Sequence, residues 1–133
     1  MAFARIVLAL SALPFLGIGL AFLVDPAATG RNVGLELTNV TAHNDLRAVY
    51  GGMQIGFAGF LVLASRHASW TVPGLVAQVA TFGGLFAARV LSWAIDGWPD
   101  TLGFALHGAE ALGLTLGVLA LARARRAATS ATA

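Results

Sequence analysis

The chain has 133 residues, enough for one compact domain, with 58% hydrophobic and only 11% charged, against roughly 45–50% apolar and about 25% charged in soluble domains. That composition excludes a soluble surface, and the length accommodates about four membrane helices of roughly 20 residues. Cysteine and lysine are both absent, which excludes disulfides, thiolate metal sites, cysteine nucleophiles, Schiff-base chemistry and a phosphate-loop lysine. The net charge is +2, and the pI of about 10.5 reflects scarce titratable groups. With no basic stripe interleaved with aromatics, nucleic acid is not expected as a partner.

Taken in chain order, Ile6 to Val24 is an uncharged run starting directly after Arg5. It is longer than the roughly 7–15 apolar residues of a signal peptide and lacks a small-x-small cleavage site, so it is expected to remain as a membrane span (6–24). A long connection, 25–44, carries Thr29, Gly30, Asn32, Gly34, Thr38, Asn39 and Asn44 and reads as a cap or a ligand loop; Leu35, Leu37 and Val40 suggest that it lies against the bundle. The second span is expected over 45–64, ending at Ser65, Arg66 and His67. The third, over 74–95, is entered through Pro73 and left through the tight turn Asp96, Gly97, Trp98, Pro99, Asp100. The fourth, over 101–122, stops at Arg123, Arg125 and Arg126, which begin a basic tail over 123–133.

The fold class expected is therefore all-α, a four-helix transmembrane bundle forming a single integral membrane domain over 1–133. Arg5, Arg66, Arg123, Arg125 and Arg126 share one side of this topology while only Arg31 lies in the opposite loop. The positive-inside tendency then places both termini in the cytoplasm, as in a multi-pass plasma-membrane protein. Trp70, Trp93 and Trp98 fall near span ends, where amphipathic rings favour the interface, with packed aromatics as the less favoured alternative. Ala48, Gly52 and Gly56, and again Ala105, Ala109, Gly113 and Gly117, make small-residue stripes. Packing inside one bundle is the favoured reading of these stripes; a homo-oligomer or a membrane partner helix is the alternative.

The polar residues inside the spans are the functional signal, because a charge at the bilayer centre costs at least about 2.5–3.5 kcal/mol. At a rise of about 1.5 Å per residue, Arg89 lies roughly 9 Å, and Glu110 roughly 13 Å, inside the outer ends of adjacent antiparallel spans. An ion pair between them is expected. Arg47, Tyr50 and Gln54 follow helical spacing on the second span, as do Arg89, Ser92, Trp93 and Asp96 on the third and His107 and Glu110 on the fourth. All are expected in one layer in the outer half; Gln78 is not part of it. Ligand-binding candidates are thus Arg47, Tyr50, Gln54, Arg89, Trp93, Asp96 and Glu110. Two arginines beside His107, Glu110 and Asp96 disfavour a cation, so no metal is assigned, and no cofactor can be named.

The stretch Asp45, Leu46, Arg47, Ala48, Val49, Tyr50, Gly51, Gly52, continuing to Gly56, resembles a bacterial family of small four-span membrane proteins catalogued as domain of unknown function 4345. Asp25 and Pro26, Arg89 with Asp96, Gly97 and Pro99, and Glu110 extend the resemblance over essentially the whole chain; His107 is not among the matched positions. The resemblance implies a four-helix integral membrane fold with these positions as its polar core, and names no substrate. Three functions follow as expectations. The leading one is a pocket for a small amphipathic or anionic ligand, with Arg47 and Arg89 as anion partners and Glu110 as counter-ion. A second is an intramembrane acid/base enzyme acting on a lipid-like substrate through Glu110 and His107. A third is an accessory or assembly subunit of a larger membrane complex.

Overall fold

The computed structural model describes residues 1–130, so the last three positions of the basic tail lie outside the described residues. Every described element is a helix. The first, α1 (Ala2–Val24), is apolar on all faces, the pattern of a helix solvated by lipid, where only internal backbone hydrogen bonding satisfies the chain. Pro14 lies within it and is exposed; without an N–H it leaves the Leu10 carbonyl short of its usual donor. Proline at position 26 disfavours helical backbone at Asp25, and α1 ends there.

The connecting segment is more structured than a loop. Asp25 Oδ1 accepts from the Ala28 N–H at 2.9 Å and so starts α2 (Pro26–Arg31), which carries proline in its first turn. The Thr29 hydroxyl lies 2.7 Å from the Asp25 carbonyl and 3.1 Å from that of Ala21, tethering α2 to the end of α1. Pro26 and Gly30 are the buried residues here, whereas Leu35 and Val40 are exposed. Of the three apolar residues expected to hold this segment against the bundle, Leu37 is half-buried while Leu35 and Val40 are exposed; capping and the Thr29 tether add their hold on α2.

The second span begins earlier than its apolar run. Asn39 Oδ1 accepts from the Ala42 N–H at 2.9 Å and caps α3 (Val40–Leu46), which continues through a π-helical turn (Arg47–Gly52) into α4 (Met53–Arg66). An extended His67 then reverses the chain into α5 (Ala68–Asp96), fixed by the buried Thr71 hydroxyl 3.1 Å from the Ala64 carbonyl. At the far end Gly97, at φ 96°, supplies the left-handed conformation that ends α5, and Asp100 Oδ1 accepts from the Gly103 N–H at 2.8 Å to start α6 (Thr101–Ser130). Four of these stretches are long and apolar enough to cross a membrane: Ala2–Val24, Val40–Arg66, Ala68–Asp96 and Thr101–Ala127. The chain is a four-helix, multi-pass membrane bundle.

The second span packs chiefly on α1 and α6 chiefly on α5, while α4 against α5 and α1 against α6 close the ring. The start of α1 and the later turns of α6 lie at one end, where the Arg123 guanidinium sits 4.7 Å over the Phe3 ring. The core belongs to that half: Ala4, Val7, Leu8, Ala12 and Phe15 of α1 meet Ala58, Leu61 and Ala64 of α4, Leu75 and Phe82 of α5, and Ala120 and Ala124 of α6. Small residues set the spacing. A Cβ at Gly113 would stand 2.7 Å from the Phe82 ring and one at Gly19 2.8 Å from Ile55. The stripe on α6 is therefore split, with Gly113 and Gly117 buried and Ala105 and Ala109 exposed. On the second span Ala48, Gly52 and Gly56 all face outward, so packing within the bundle does not account for them. In the half opposite the termini, α5 and α6 present few buried residues apart from Glu110, which leaves room for a site there.

Candidate functional site

Arg89 of α5 and Glu110 of α6 meet as the sequence suggests, Arg89 Nε donating to Glu110 Oε2 at 2.7 Å. Their burial is unequal. The Glu110 side chain is 10% exposed and that of Arg89 33%, so the glutamate is nearly sealed between helices while the arginine is only partly covered. The bond uses one of five guanidinium N–H donors and is charge-assisted. Gly97 and the Asp100 cap make this geometry possible, because they bring α6 back antiparallel along α5.

Arg89 lines an open cleft of about 330 Å³ whose other walls are Asn32, Val33 and Gly34 after α2, and Asp100, Leu102, Gly103 and Leu106 at the start of α6. Asn32 and Gly34 belong to the segment read above as a cap or ligand loop. From sequence Asp100 reads only as the end of a tight turn, and Leu102 and Leu106 as ordinary apolar residues of a span. Nothing local marks them; the cleft exists only because a connection distant in sequence folds over the α5–α6 turn.

His107 and Trp93 form a second cluster. The His107 ring lies 4.3 Å from both Phe86 and Trp93, and Trp93 continues to Trp98 at 5.6 Å and Phe104 at 5.5 Å. Trp93 is thus a packed aromatic, while Trp70 and Trp98 are exposed near helix ends. His107 Nδ1 is buried and has no hydrogen-bond partner among the described residues. Asp96 accepts from the Ser92 hydroxyl at 2.8 Å on the last turn of α5. Among the described residues no three histidine or carboxylate side chains converge in a way that could hold a metal.

The second span's polar residues take a different direction. Arg47 Nε donates to the Leu23 carbonyl at 3.2 Å, and Tyr50 packs on Phe22 with ring centroids 5.1 Å apart, both partners belonging to α1. Gln54 is half-buried. Within the outer half where the sequence placed them, these groups fall into two groupings, one on the end of α1 and one between α5 and α6. The reason is the π turn over Arg47–Gly52: by inserting about one residue it rotates the faces before and after it by roughly 100° relative to a regular helix. Periodicity counted at 3.6 residues per turn therefore misaligns Arg47 and Tyr50 with Gln54. Gln78 is fully buried, its Nε2 donating to the Gly113 carbonyl at 3.1 Å, and serves α5–α6 packing.

The model of the domain of unknown function DUF4345 matches residues 3–122. The chain belongs to the DUF4345 family. The Arg-Ala-Val-Tyr-Gly-Gly stretch of this DUF4345 protein is the π turn itself, Arg47–Gly52. No curated protein and no solved structure matches the chain.

Proposed function

We propose that this DUF4345 protein is a plasma-membrane protein with both termini cytoplasmic, and that its cleft binds a small amphipathic ligand carrying an anionic group. Arg89 is the anion partner and Glu110 its counter-ion. The observation that supports the reading is the asymmetry of the pair: Glu110 holds Arg89 by Nε while the partly exposed Arg89 side chain lines an open cleft with Val33, Leu102 and Leu106. A pair whose only task was to fix helix register would gain nothing from that opening. Arg47, the other anion partner expected, satisfies the end of α1 and stands in our reading as a structural residue.

The acid/base reading has weaker support from the geometry. Glu110 is engaged by Arg89, and His107 is stacked between Phe86 and Trp93, so neither is poised against the other. The test of binding uses lysophosphatidic acid as probe, titrated into detergent-purified protein and read by tryptophan fluorescence. Replacing the pair together, Arg89→Gln with Glu110→Gln, keeps a neutral hydrogen-bonding pair in place. Binding is expected to weaken at least about tenfold, roughly 1.4 kcal/mol, with little change in Tm. Unchanged affinity overturns the reading.

A further inference from the structure

We infer that the ligand of this cleft is a zwitterion of the phosphoethanolamine type, its phosphate held by Arg89 and its ammonium by Asp100. This rests on the cleft reading above and adds the chemistry of the headgroup.

Two opposite charges line the same cavity, each with capacity left over. Arg89 commits Nε to Glu110. Asp100 commits Oδ1 to the Gly103 N–H, leaving Oδ2. Among the described residues Arg89 pairs with Glu110 and not with Asp100, so the cleft keeps a separated donor group and acceptor group, both lining it.

The charge balance selects against simpler ligands. Glu110 offsets the charge of Arg89, and Asp100 adds a further negative charge. A bare anion would bind less well because Asp100 repels it, and a bare cation would leave the remaining N–H donors of Arg89 without an acceptor. A ligand bringing both signs satisfies both walls. A primary ammonium can donate hydrogen bonds to a carboxylate, whereas a choline headgroup has no N–H to offer.

Depth gives the order of the groups. Asp100 caps α6 at the end of the bundle, and Arg89 lies seven residues before the end of α5, its backbone about 10 Å deeper along the helix axis, while both residues line the one cavity. Ammonium outermost with phosphate beneath it is the order in which the headgroup of a membrane phosphatidylethanolamine presents itself, and Val33, Leu102 and Leu106 supply apolar wall beside it. Free phosphoethanolamine compounds share the headgroup chemistry, so the test separates the two sources.

Binding would be measured on detergent-purified protein by native mass spectrometry with phosphatidylethanolamine, phosphatidylcholine, phosphatidylglycerol and an alkylammonium amphiphile, with soluble glycerophosphoethanolamine as competitor. The expected result is at least a fivefold preference for phosphatidylethanolamine over the other three. Asp100→Asn should erase that preference and retain phosphatidylglycerol binding, because asparagine is an equally good helix cap and preserves the fold. Competition by glycerophosphoethanolamine would assign the site to a soluble ligand; a lipid preference that it does not compete away would assign it to the bilayer. Equal binding of phosphatidylglycerol or of the alkylammonium amphiphile, or an unchanged preference in Asp100→Asn, overturns the zwitterion while leaving the cleft reading standing. Unaltered binding of every lipid in the Arg89→Gln, Glu110→Gln variant overturns both.

Discussion

Gly113 and Gly56 show how differently the same residue type behaves in this bundle. A Cβ at Gly113 would lie 2.7 Å from the Phe82 ring, whereas one at Gly56 would meet nothing within 4 Å. Gly113→Ala is expected to lower stability, an overpacking cost of about 1–3 kcal/mol exceeding the helix-propensity gain of roughly 1 kcal/mol. Adding Phe82→Leu should restore much of the loss. Gly56→Ala should raise stability by about 0.5–1 kcal/mol. Thermal unfolding of the purified protein in one detergent checks all three, and equal Tm shifts for the two glycines would contradict the packing described. The same contrast governs the charged residues: Glu110 is sealed and Arg89 is not, and only that difference turns an ion pair into the wall of a site.

Among the helices, the π turn decides where the second span's polar groups go. It directs Arg47 to the Leu23 carbonyl, one of the last carbonyls of α1, which has no intrahelical donor. A cation at a helix C-terminus contributes about 0.3–1 kcal/mol when exposed. Arg47→Gln is therefore expected to lower Tm by a few degrees and to leave lysophosphatidic acid affinity unchanged. A large loss of affinity with unchanged Tm would return Arg47 to the ligand site. The α5–α6 hairpin behaves as the complementary unit: Gly97 and the Asp100 cap set its return, Arg89 with Glu110 and Gln78 with Gly113 tie its length, and its aromatic cluster closes the far end.

Across the whole bundle, all six acidic residues lie in or toward the half opposite the termini, while five of the eight arginines lie at the end that carries them. That separation predicts orientation. The native chain has no cysteine, so a single introduced thiol reports its own side of the membrane. In intact cells Thr38→Cys is expected to react with a membrane-impermeant maleimide and Ala2→Cys only after lysis; the reverse pattern would invert the proposed topology. The third helix starts at Ala68 with Pro73 inside it and not after that proline, but four spans and the Arg89–Glu110 pair were legible in the sequence, because hydropathy and the expense of burying charge act residue by residue. The early start of the second span was not, since Asn39 caps a helix whose first turns are too polar to join an apolar window. Nor was the split of the polar groups between α1 and the α5–α6 pair, because a single inserted residue in a helix changes its faces without changing its composition. The sequence alone determined the solvent, the number of spans and which charges are costly. Tertiary structure alone decided which of those charges face a cavity, because the cleft is made by a connection near residue 33 meeting a helix start near residue 102, and no local pattern encodes that meeting.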